Sequence, residues 1–122
     1  GIIVGPLLTD RSKIELKDLS FKAPKVLEQA GIEYAMMTDH PVTPEQYLPI
    51  CTAVAVREGA SEEGALKAIT INAAKITGIA DRVGSIEVGK DADIAVFSGH
   101  PFDFRSRCVL TLVNGKVAHE EH

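Results

Sequence analysis

The chain has 122 residues, 45% of them hydrophobic, and a mean hydropathy of +0.08, figures of about one soluble globular domain with no apolar run near membrane-span length. Its 13 Lys and Arg against 17 Asp and Glu leave a net charge of −4. With the cations scattered, no Trp and 5% aromatics, both the electrostatic and the stacking footprints of a nucleic-acid binder are missing.

Cys51 and Cys108 stand far apart without metal-ligand spacing, so a reduced, cytoplasmic setting is expected, with both thiols acting as small apolar residues. The chain starts with neither an initiator Met nor a leader, directly in an apolar β-branched run, and this suggests a piece of something longer. That run, Ile2 to Val4, reads as a buried strand closed by Gly5-Pro6, with a loop following through Arg11. Ser12-x-x-Glu15 has the form of a capping box for a short helix carrying Leu16 and Leu19. Pro24 suits the first turn of the next helix, whose apolar stripe of Val26, Leu27 and Ala30 ends at Gly31. Strand, helix and strand make one βαβ unit, for which a right-handed crossover is expected.

The second strand of that unit is the stretch from Ile32 to Thr38, with no polar alternation over Tyr34 to Met37, as in a parallel strand covered on both faces. In parallel α/β architectures the carboxyl ends of strands face the ligand crevice. Asp39 and His40 follow immediately. Asp39 can act there as a metal ligand, a general base or both, or it can brace the turn into Thr43-Pro44. His40, before Pro41, is either a ligand or a turn residue whose ring is satisfied locally.

Thr43-Pro44-Glu45-Gln46 combines an N-cap Thr, a Pro at the first helical position and a capping-box Gln, so a helix is expected to start there. Pro49 predicts a kink or second start, after which Ile50 to Glu58 continues as helix to Gly59. Ser61 with Glu62 and Glu63 opens another helix, given an apolar face by Leu66, Ile69 and Ala73. Asn72 is expected to cap a last short turn ending at Gly78. Beyond Asp81 the period changes: Ile94 to Phe97 reads as a strand, and Val109 to Val113, Asn114-Gly115 and Lys116 to Ala118 read as a type I′ hairpin. The sequence therefore divides near residue 80, into a βα segment (1–81) and a small β segment (82–122).

Gly84-Ser85-Ile86-Glu87-Val88-Gly89-Lys90 matches the G-x-x-x-x-G-K spacing of a phosphate loop. The context argues against it, because Asp91 stands where a metal-binding hydroxyl belongs and a strand follows where a helix should. Two turn glycines flanking a short strand, with Lys90 and Asp91 solvated, is the alternative, and no nucleotide is expected.

Taken with Thr38-Asp39-His40-Pro41 and Ile69-Thr70-Ile71-Asn72-Ala73-Ala74, the run from Gly84 through Lys90 to Asp91-Ala92-Asp93-Ile94 resembles the carboxyl-terminal third of the amidohydrolase superfamily, in its imidazolonepropionase-like branch. The resemblance implies an α/β fold: the last two βα units of a TIM-type (β/α)8 barrel, with Gly1 to Val4 as strand seven and Ile32 to Thr38 as strand eight, plus part of a small β-sandwich. It implies that Asp39 contacts the catalytic divalent metal, zinc being the expected ion, and serves as proton shuttle, with His40 a candidate substrate contact. It also implies hydrolysis of an amide, cyclic amide or related C–N bond in a small-molecule substrate.

The family's His-x-His pair and its middle-strand Lys and His ligands have no counterpart among these residues, and His100, His119 and His122 lie in the β segment without partners at ligand spacing. The chain alone is therefore expected to bind no metal tightly and to be inactive, so a non-catalytic assembly or binding module is the alternative reading. The expected partners are the missing amino-terminal part of its own chain or a second copy across its open strand edges, with no nucleic acid and no membrane.

Overall fold

In the computed structural model, which describes residues 1–122, β1 (Ile2–Val4) and β2 (Tyr34–Met36) form a two-stranded parallel sheet. Ile2 lies opposite Tyr34 and Val4 opposite Met36. The connection between them holds a 3₁₀ turn at Ile14–Leu16 and the helix α1 (Ala23–Gln29). Three helices follow β2: α2 (Leu48–Arg57), α3 (Glu62–Ala68) and α4 (Ile71–Ile76). A separate antiparallel sheet, ordered β3-β4-β5, takes Ile94–Phe97, Cys108–Val113 and Lys116–Glu120. No helix is long and apolar enough to cross a membrane.

The core forms where β2 meets the helices. All three β2 residues are buried, and Tyr34 and Met36 cluster with Leu7, Ala55, Ala60 and Ala68. Small residues at the helix contacts let α3 and α4 approach the strand closely. Ala65, Ala68 and Ala74 are the buried apolar positions of α3 and α4, whereas Leu66, Ile69 and Ala73 are only half-buried. At roughly 1.5–3 kcal/mol for each large apolar side chain taken out of water, this short strand is a main source of cohesion.

Glu28 ties three elements to one another. Its Oε1 accepts the Tyr34 hydroxyl at 2.8 Å and its Oε2 accepts the Ser61 amide at 2.8 Å. Ser61 in turn caps α3, its Oγ accepting the Gly64 amide at 2.9 Å. Burial first, then the hydrogen bond and charge of Glu28, raise the Tyr34 phenol well above the usual tyrosine range. The opposite edge of β2 is held by Asn72, whose Nδ2 donates to the Tyr34 carbonyl at 3.2 Å.

Several local expectations are corrected. Ser12 does not cap a helix: its hydroxyl bonds Asp10, and only the 3₁₀ turn follows. Thr43 is no N-cap either, since Pro44 stays extended and a 3₁₀ turn covers Glu45–Tyr47. The second start at Pro49 is found, as the second residue of α2. Asn72 is buried inside α4 rather than capping a turn, because the Tyr34 carbonyl is its partner. Val26, placed on the apolar stripe of α1, is 58% exposed. No strand lies between Gly84 and Gly89.

In the β segment the hairpin has the expected turn. Asn114 and Gly115 have φ of 50° and 74°, and the Asn114 and Gly115 amides donate to the Asp93 carboxylate and the Ala92 carbonyl. Positive φ with a β-branched side chain costs about 1–2 kcal/mol, so Gly115→Val should lower stability by about that much. Lys116→Val, at an exposed strand position with no turn requirement, should change it little. Paired thermal melts check this, and equal shifts would contradict the turn's role.

Candidate functional site

The site begins with how two strand ends are brought together. Gly5, at the end of β1, has φ of 141°, and a Cβ there would run into the Met37 carbonyl oxygen. Only a glycine lets the loop after β1 pass this close to the end of β2. Thr43 then fastens the two loops, its hydroxyl donating to the Leu8 carbonyl at 2.8 Å and its amide to the Thr38 carbonyl at 3.2 Å. Thr43, which its local pattern marks as a helix cap, makes these bonds instead. A buried Thr in a loop, 35 residues from its partner, leaves no local pattern.

Asp39 sits on this platform at the carboxyl end of β2. Its φ is 52°, a left-handed conformation that Asp tolerates better than most residues yet one still uncommon for any side chain. Its own carbonyl accepts the Val42 amide at 2.8 Å, so the turn is closed by backbone. The carboxylate is on an exposed residue and enters none of the chain's ion pairs. The turn is thus braced by the Asp39 main chain rather than by its side chain.

His40 is used locally. Its Nδ1 accepts the Glu45 amide at 3.3 Å, at the start of the 3₁₀ turn before α2. A neutral ring accepting at Nδ1 carries its proton on Nε2, which leaves one donor for a further partner.

A divalent metal does not fit these residues by themselves. Protein metal centres take three or more side-chain ligands, and no group of three or more His, Cys, Asp or Glu side chains is assembled anywhere in the chain. Asp39 offers one carboxylate. His100 is engaged elsewhere, its Nε2 against the Glu62 carboxylate and its Nδ1 accepting the Phe102 amide at 3.1 Å.

The glycine-rich run from Gly84 to Lys90 makes no phosphate cradle. Gly84 and Gly89 both have φ of 93°, but the Lys90 ammonium donates to the Ser85 hydroxyl at 2.6 Å and faces Glu87 at 3.4 Å. Lys90 is thus largely enclosed, with 13% of its side chain exposed, rather than solvated. Asp91 accepts from Arg82 at 2.6 Å.

Comparison with known proteins fits this geometry. The family model described as "Amidohydrolase family" matches residues 14–119. An imidazolonepropionase of Fusobacterium nucleatum is 41% identical over 78 residues, 62% of this chain and 19% of that protein. One from Shewanella oneidensis is 33% identical over 107 residues, 78% of this chain and 26% of that protein. The crystal structure of an amidohydrolase from Thermotoga maritima superposes with a TM-score of 0.94 at 48% identity, over 98% of this chain and 31% of that one. The chain thus spans between about a fifth and a third of the length of these relatives. With a family match running over most of its length, and a mixed α/β fold shared with a solved amidohydrolase, the chain belongs to the amidohydrolase family.

Proposed function

We propose that these residues are the carboxyl-terminal part of a metal-dependent amidohydrolase, in which Asp39 is the general base. On this reading residues 1–81 supply the last two βα units of a TIM-type barrel and residues 82–122 the carboxyl-terminal part of a small β-sandwich. That these residues are one part of a longer enzyme is supported by the coverage of the relatives, since this chain aligns with only 31% of the Thermotoga maritima protein. The observation that carries the chemistry is the Asp39 carboxylate, unpaired and exposed beyond β2 on a left-handed backbone.

The reaction is hydrolysis of an amide, cyclic amide or related C–N bond. Asp39 takes a proton from the attacking water as the C–O bond forms, and returns it to the leaving nitrogen as the C–N bond breaks. A divalent metal, zinc in the first instance, would lower the pKa of that water. Its remaining ligands would come from outside these residues, with Asp39 contributing one oxygen. His40, its Nδ1 occupied by Glu45, would offer Nε2–H to a polar atom of the substrate. The small molecule hydrolysed would be set by loops beyond this chain.

Two measurements test this. In a longer hydrolase carrying these residues, Asp39→Asn keeps the shape and removes the base, so turnover should fall by about 10²- to 10⁴-fold with folding intact; near-normal turnover would end the assignment. The second separates a chemical Asp39 from a structural one. Because its backbone is left-handed and its carboxylate has no ion-pair partner, Asp39→Gly should leave stability unchanged or raise it by up to about 1 kcal/mol, while Asp39→Val should lower it by about 1–2 kcal/mol. A marked loss on Asp39→Gly would make the carboxylate a brace of the turn.

A further inference from the structure

Asp39 lies beyond the last rung between β1 and β2. The Met37 amide makes that rung, on the Val4 carbonyl at 2.9 Å, and two residues further on no strand partner holds the backbone. The turn that follows closes on itself. The Val42 amide donates to the Asp39 carbonyl at 2.8 Å and the Thr43 amide to the Thr38 carbonyl at 3.2 Å, while the His40 ring accepts the Glu45 amide. Bonds of this kind set the shape of the turn, but they leave it free to shift as a body against the rest of the fold.

One bond refers the turn to something fixed. The Thr43 hydroxyl donates to the Leu8 carbonyl at 2.8 Å, and no other hydrogen bond joins residues 5–22 to residues 38–47. Its acceptor is anchored, because the preceding residue, Leu7, is buried in the core cluster with Tyr34 and Met36. Its donor is anchored too, since Thr43 is 4% exposed and β-branching restricts its χ1. A hydrogen bond so enclosed is electrostatically stronger than one in water. Both partners lie inside the packed βα part of the chain, so the bond does not depend on where the sequence begins.

We propose that Thr43 is a positioning residue for Asp39: its hydroxyl fixes the turn against the Leu7–Leu8 segment and so sets where the carboxylate stands when it takes the proton. The proposal rests on the assignment of Asp39 as the general base. A proton-transfer group must lie within about 2.6–3.2 Å of its partner, and a misplacement of about 1 Å can cost on the order of 10²-fold in rate. The hydroxyl, spent on Leu8, acts through the backbone of the turn and not on the substrate.

Two variants in a longer hydrolase carrying these residues separate the hydroxyl from the bulk of the side chain. Thr43→Val keeps the β-branch and deletes the bond, whereas Thr43→Ser keeps the bond and deletes the methyl. Thr43→Val should lower kcat by about 10- to 10²-fold with KM little changed, and should speed hydrogen exchange of the Val42 amide, which closes the turn on Asp39. Thr43→Ser should stay near the parent enzyme in both. In an Asp39→Asn background, Thr43→Val should cost little further turnover, because the hydroxyl acts through Asp39. A normal kcat in Thr43→Val, losses in Thr43→Ser equal to or larger than those in Thr43→Val, or a Thr43→Val loss undiminished on top of Asp39→Asn would each overturn the proposal and leave Asp39 as the base. Near-normal turnover in Asp39→Asn alone would overturn both.

Discussion

Three residues, Tyr34, Ala35 and Met36, are buried in a strand that has only one strand neighbour, and the βα part of the chain is arranged to make that tolerable. A buried strand must have its backbone groups satisfied and its side chains covered. β1 satisfies one edge. On the other, Asn72 reaches out of α4 to the Tyr34 carbonyl. The alanines of α2, α3 and α4 then close over the side chains, and Glu28 locks the Tyr34 hydroxyl to the start of α3. Remove this strand and α3 and α4 lose the element on which both of them pack.

The same strand delivers the site. Its carboxyl end runs directly into Asp39, and the close approach of Gly5 to Met37, with the Thr43 bond to Leu8, fixes where that residue stands. The left-handed backbone at Asp39 is held by surrounding main-chain bonds, leaving the carboxylate free of structural duty. Strain of this kind persists where the surroundings over-determine it, and it clusters at functional positions. The proposed role of Asp39 as a base rests on that combination.

Patterns of short range were legible in the sequence. The unbroken apolar run gave β2, Asn114-Gly115 gave the hairpin turn, Ser61 gave the start of α3, and Pro49 gave the restart of helix. Asp39 and His40 stood out because they follow a strand, although how His40 is used, on the Glu45 amide, could not be read. What failed was local chemistry redirected by distant partners. Thr43 and Asn72 both looked like caps, since a short polar side chain before a helical stretch satisfies nearby amides by default. Each instead found a carbonyl more than 30 residues away, and no periodicity encodes such a pairing. The expectation of a solvated Lys90 fails for the same reason, because Ser85 and Glu87 become its partners only when the loop closes.

The central claim is that this chain carries one functional carboxylate of a divided metal centre and not the centre itself. Calorimetric titration of the 122-residue chain with zinc tests it most directly. One carboxylate without further ligands predicts no saturable binding at micromolar metal, and the same flat response in Asp39→Ala. Stoichiometric, tight binding that disappears in Asp39→Ala would show that these residues assemble a complete centre, and would contradict the account.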